Sequence, residues 1–112
     1  MNKYHAHKTV IDGITFSSKK EANRYSELKL LEQAGGIKNL RLQPRYLLLG
    51  AFVDRSGTKH RPVHYVADFS YLDKRHGWQE VIEDVKGGFK TEVYKLKKKF
   101  FLSKYNPIFI ET

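Results

Sequence analysis

Val63-His-Tyr-Val-Ala-Asp-Phe-Ser-Tyr-Leu72 and Trp78-Gln-Glu-Val-Ile-Glu-Asp-Val-Lys86 are the two stretches that decide how this chain folds. Both are rich in β-branched and aromatic residues, which suit a pleated, half-buried surface. Asp73-Lys-Arg-His-Gly77 between them reads as a loop, and so short a connection predicts antiparallel neighbours. Side chains alternate faces along a strand. His64, Val66, Asp68, Ser70 and Leu72 therefore share one face of the first stretch. Trp78, Glu80, Ile82, Asp84 and Lys86 share one face of the second. If the loop pairs Leu72 with Trp78, Asp68 lies opposite Ile82, and Asp84 is its diagonal neighbour at roughly 7 Å or less. Asp68, Asp84 and Lys86 then converge on one face. Glu83 points the other way, with Val81 and Val85, as a buried or hydrogen-bonded carboxylate or an edge charge.

Working outward from this pair, Arg45 to Phe52 reads as a preceding strand with Pro44 at its entrance. Asp54-Arg-Ser-Gly57 is a turn. Ser18-Lys-Lys-Glu21 opens a helix with a capping-box pattern, and that helix runs to about Ala34 before Gly35-Gly36. Ahead of it, Asp12-Gly13 between β-branched residues predicts a tight hairpin, and residues 1–8 are expected to be loose. Downstream, Gly87-Gly88 ends the last of the three strands. Thr91 caps a second helix to about Lys104, and Pro107 to Glu111 forms a final short strand. The expected order is helix, three strands, helix, strand. It describes one α+β domain, residues 1–112, with a central mixed sheet flanked by helices and with the three strands as a meander.

Composition narrows the function. Lys and Arg number 21 against 12 Asp and Glu, giving +9 and a pI near 9.8. So basic a small domain is a candidate for binding a polyanion, most commonly nucleic acid. The absence of cysteine excludes a disulfide framework and a thiolate zinc site. No apolar run is long enough for a signal peptide or a membrane span, so a soluble cytoplasmic protein that does not engage membranes is expected. No serine-nucleophile motif, phosphate-binding glycine loop or dinucleotide fingerprint occurs.

The acidic pair is the strongest chemical signal. Two carboxylates at that separation suit a hard, oxygen-seeking cation, magnesium or manganese. Such an ion polarises a phosphodiester and activates a bound water. Lys86 beside it can orient that water or neutralise the phosphate. The plainer reading is a surface salt bridge between Lys86 and either aspartate. Glu21 lies between the directions of Tyr25 and Leu28 on the inward helical stripe, so it either reaches this site or serves only the cap. Val93, Leu96 and Phe100 are expected to form the core stripe of the second helix. Lys95, Lys98 and Lys99 would face away, free to contact phosphates, with Lys90 just before the helix. Lys97 projects inward and either snorkels or reaches the scissile phosphate. His5 and His7 lack a third metal ligand nearby, and His60, His64 and His76 read as surface residues.

Asp68 on the second strand and Asp84-Val85-Lys86 on the third, with Glu21 on the first helix, resemble the PD-(D/E)XK nuclease signature. Ala67 stands where the name-giving proline would be. A closer resemblance covers nearly the whole chain. It runs through Lys3-Tyr-His-Ala, Asp12-Gly13, Ser18-Lys-Lys-Glu-Ala22, Leu42-Gln-Pro44, Tyr65-Val-Ala-Asp-Phe69, Glu83-Asp-Val-Lys-Gly87 and Lys90-Thr-Glu-Val-Tyr-Lys-Leu-Lys97. It is to a family of small phage and prophage proteins known only as a domain of unknown function, itself similar to RecU-type Holliday junction resolvases. The resemblance implies a restriction-endonuclease-like core and a magnesium- or manganese-dependent DNA endonuclease acting on branched DNA in phage recombination or replication, in the cytoplasm of a bacterial host. Asp68, Asp84, Glu21 and the Val85 carbonyl would hold the metal. Gln43 and Glu83 are supporting residues. One site cuts one strand, so a homodimer is expected on a junction or duplex. The rival expectation is a binding module that grips branched or single-stranded DNA without turnover.

Overall fold

The computed structural model describes residues 8–87 and 90–112. The expectations for the loose N-terminus, for His5 and His7, and for Gly88 lie outside or largely outside these residues. In chain order the elements are β1 (Thr9–Ile11), β2 (Ile14–Phe16), α1 (Lys19–Gln33), β3 (Ile37–Leu42), β4 (Arg45–Leu49), β5 (Phe52–Val53), β6 (Lys59–His60), β7 (Val63–Val66), β8 (Phe69–Asp73), β9 (Gln79–Asp84), α2 (Glu92–Tyr105) and β10 (Ile108–Glu111). The fold is α+β.

The expected hairpin forms at β1–β2, where Asp12 and Gly13 both take positive φ, 53° and 75°. That pair of angles is what a two-residue turn between twisted strands requires. Ser18 caps α1 by accepting from the Glu21 N–H, and Thr91 caps α2 by accepting from the Tyr94 N–H.

The central sheet has the order β10-β9-β8-β3. β3, β8 and β9 run antiparallel as a meander, and β10 joins β9 in parallel. The first strand of this sheet is Ile37–Leu42 and not the expected Arg45–Phe52. Its apolar residues Ile37, Leu40 and Leu42 break the two-residue period because the ladder slips between Lys38 and Arg41. Asn39 sits there at φ 56°, a left-handed conformation typical of a bulge.

Arg45–Leu49 instead continues the same ladder around a bend. β4 pairs with β7, and the expected single strand over residues 63–72 is broken at Ala67-Asp68 into β7 and β8. Backbone bonds stitch the bend: Gln43 N–H to Asp68 O at 2.9 Å, and Ala67 N–H to Pro44 O at 3.1 Å. Pro44 has no N–H to give a ladder, and Gln43 takes φ 48°, so the chain turns there. β5 and β6 form a small outer hairpin around Asp54, whose Oδ1 accepts from the Ser56 and Thr58 N–H groups.

Two cores lie on opposite faces of the sheet. Phe69, Tyr71, Val81 and Val85 pack with Ala22, Tyr25 and Leu28 of α1. Ile82 packs with Tyr65, Ala67 and Phe101, the last from α2. The alternation expected in β9 is therefore present. The expected core stripe of α2 is not. Val93, Leu96 and Phe100 are 63%, 56% and 57% exposed, while Phe101 is fully buried. Phe101 stacks on Tyr65 and packs against Tyr46, Tyr105 and Phe109, so a ring of aromatics fixes the helix rotation.

Candidate active site

The β8–β9 turn sets the register at the acidic pair. Asp73 ends β8, and its Oδ1 accepts from the Arg75 N–H to start a single 3-10 turn over Lys74–His76. Gly77 and Trp78 then take positive φ, so β9 begins at Gln79. Leu72 pairs with Glu80, and Phe69 with Glu83. The expected pairing of Leu72 with Trp78 is thus off by two residues. A slip of two preserves every face. It also brings Asp68 level with Asp84 and not diagonal to it.

The two aspartates are joined through the backbone. Asp68 N–H donates to Asp84 Oδ1 at 3.0 Å, and Val85 N–H donates to Asp68 Oδ2 at 2.7 Å. Asp84 is buried, and its Oδ2 accepts from the hydroxyls of Tyr65 on β7 and Tyr94 on α2. Asp68, at the bend, is half-buried and walls a cleft of about 90 Å³ with Glu21, Gln43, Leu42 and the β2 segment Ile14-Thr15-Phe16. That volume holds a few waters. Burial, then the charges of Glu21 and Asp84, push the Asp68 carboxyl up from 3.8 to about 6. The Val85 N–H and the Lys90 ammonium act in the opposite sense. Glu21 is buried and accepts from Ser17 Oγ at 2.8 Å. Glu21 also lines the cleft, while its N–H serves the cap.

Glu83 has a different fate. It is fully buried on the α1 side and accepts from Arg24 through two nitrogens (2.5 and 2.9 Å), from Tyr71 at 2.8 Å and from Thr112 Oγ1 at 2.9 Å. It locks α1 to β9. Lys86 is exposed just past β9. Its N–H donates to Thr112 O, and its carbonyl accepts from Lys20 Nζ at 2.6 Å.

The basic residues divide. Lys90 lies 4.4 Å over the Tyr94 ring. Lys95 pairs with Glu92, and Lys99 is exposed. Lys98, expected to face away, is pinned by Glu111 at 2.6 Å and covers the Phe109 ring. Lys97 lies half-buried in an apolar groove with Leu48, Val63, Val93, Leu96 and Phe100.

The donor set is all oxygen and fits magnesium or manganese. Among the described residues no ion pair neutralises Glu21, Asp68 or Asp84. In this arrangement, however, no three acidic or histidine side chains among the described residues converge as a metal-holding group. Glu21 and Asp68 share the cleft, and Asp84 is turned to its tyrosines. Sequence reasoning missed Tyr65, Tyr94, Lys20 and Arg24. Lys20, Tyr65 and Tyr94 lie inside the quoted stretches without a role read for them, and Arg24 lies three residues beyond Glu21 on the same helical face.

A family model spans residues 1–111 of the chain. The protein belongs to the family described as Protein of unknown function (DUF1064). No curated protein and no solved structure matches it. The DUF1064 match contains all the quoted stretches, Tyr65–Phe69 and Glu83–Gly87 included. Among the described residues of this DUF1064 protein, no helix is long and apolar enough to cross a membrane.

Proposed function

We propose that this protein is a magnesium- or manganese-dependent DNA endonuclease that favours branched substrates. One observation carries the reading. Asp68, at the bend, stands level with Asp84 and shares a cleft with Glu21, no ion pair among the described residues holds any of the three, and burial, then the charges of Glu21 and Asp84, push the Asp68 carboxyl up. Carboxylates so gathered are a cost to folding unless something positive binds them. A divalent cation there would supply Lewis acidity toward a phosphodiester. Glu21, Asp68, Asp84 and the Val85 carbonyl would hold it. Lys86, at the open end of β9, would orient the attacking water or neutralise the phosphate. Lys90, Lys95, Lys97 and Lys99 would grip flanking phosphates, and Lys98 would join them only by leaving Glu111. One site cuts one strand, so two copies would act on a junction.

The test is cleavage of labelled four-way, flap, duplex and single-stranded DNA with magnesium or manganese. The wild type should cut the four-way or flap substrate, whereas Asp84→Ala and Lys86→Ala should not. Equal cutting by all three would sink the assignment. A DNA-binding module without turnover is the second reading. It is favoured by the way Tyr65 and Tyr94 already satisfy Asp84. A pure binder would show no metal-linked rise in melting temperature.

A further inference from the structure

Asp84 Oδ2 is fully subscribed. A carboxylate oxygen offers two lone pairs, and here both accept tyrosine hydroxyls. The two donors are 3.3 Å apart and come from different elements, Tyr65 from β7 and Tyr94 from α2. They are unequally held. Tyr65 is buried, with its ring stacked on Phe101 at 4.6 Å between centroids. Tyr94 is only half-buried and lies on the first turn of α2, where the Lys90 ammonium covers its ring. It also borders two open clefts, one with Lys90, Lys95 and Lys99, the other with His64, Val66 and Lys97. Tyr65 is thus scaffold, and Tyr94 is the donor with room to leave.

We propose that Tyr94 is a positioning residue that latches Asp84. Its hydroxyl occupies one of the two Oδ2 lone pairs, so Oδ2 could join Glu21 and Asp68 in holding a divalent cation only once that hydroxyl swung out. This rests on the metal-dependent reading of the site. The lysines around Tyr94 put the latch where an incoming phosphate backbone would first be gripped, so substrate capture and metal loading meet at one side chain.

Manganese binding by the full chain tests the latch without any cleavage assay, with the free ion counted by its EPR signal. Tyr94→Phe keeps the ring and removes the hydroxyl. It should bind manganese about tenfold or more tightly than the wild type, the size expected for losing one competing bond to a charged acceptor. Adding Asp84→Asn should abolish that gain. Tyr25→Phe, which removes a hydroxyl bond to Asp12 away from the cleft, should match the wild type. A merely structural loss at Tyr94 would weaken binding, so the gain is the diagnostic sign. Unchanged or weaker binding by Tyr94→Phe, with wild-type binding still dependent on Asp84, overturns the latch and leaves the metal site standing. Binding indifferent to Asp84→Asn, or absent in both wild type and Tyr94→Phe, overturns both. A second measurement uses the wild-type chain alone. Magnesium should shift the ζ-carbon NMR resonance of Tyr94 and leave that of Tyr25 in place; a stationary Tyr94 signal under saturating magnesium overturns the latch.

Discussion

Glu83 and Asp84 are adjacent acids with opposite surroundings, and the difference is one of strand face. Glu83 points to α1 and is bound by Arg24, so it holds the fold together. Removing one partner of such a buried pair strands the other. Arg24→Ala should therefore cost about 3 kcal/mol in urea unfolding, well above the cost of a surface substitution. Asp68 makes the pH dependence. Its carboxyl is raised in the fold from 3.8 to about 6, so the folded state binds that proton more tightly than the unfolded chain does. The stability it contributes is full below 3.8 and is lost as pH rises through about 6. Melting curves of wild type minus Asp68→Asn should fall across that window and be flat on either side. Magnesium at neutral pH should shrink the difference, if the cation binds where proposed.

At the scale of elements, α2 shows how a lysine-rich helix misleads. Val93, Leu96 and Phe100 have the spacing of a core stripe, yet the neighbouring stripe through Tyr94 and Phe101 is the buried one. Two adjacent phenylalanines leave the helix rotation open, and the aromatic ring of Tyr46, Tyr65 and Phe109 settles it. Phe101→Ala should cost about 3–5 kcal/mol, and Phe100→Ala within roughly 0.5 kcal/mol, by urea unfolding. Equal costs would mean the helix is turned by about one residue. The β3–β4 and β7–β8 strands make the same point at a bend. Their shared kink at Gln43-Pro44 and Ala67-Asp68 is what frees the Asp68 carboxylate from a regular strand face and lets it reach both the Val85 N–H and the cleft of Glu21.

For the whole molecule, the net charge of +9 makes the DNA interaction, as proposed, strongly salt-dependent. Four phosphate contacts from Lys90, Lys95, Lys97 and Lys99 predict a loss of roughly a hundredfold in affinity between about 50 and 200 mM salt. Fluorescence anisotropy reads this directly. Lys95→Ala with Lys99→Ala should lower the slope of log affinity against log salt by about 2. An unchanged slope would move the phosphate contacts off α2.

The sequence by itself determined what is local. Ser18 and Thr91 fixed where the helices start, Asp12-Gly13 fixed the hairpin, and the two-residue period put Asp84 and Glu83 on opposite faces. Three features needed the tertiary structure. The 3-10 turn and the positive φ of Gly77 and Trp78 moved the register by two residues, which only the closed ladder reveals. The edge strand Ile37–Leu42 was hidden because the Asn39 bulge destroys its alternation. The partners of Asp84 were invisible for a related reason. Tyr65 and Tyr94 are 29 residues apart in sequence and meet only because Phe101 seats α2 against the bend. Spacing along a chain records faces faithfully, but which side chains face one another across a core is decided by packing.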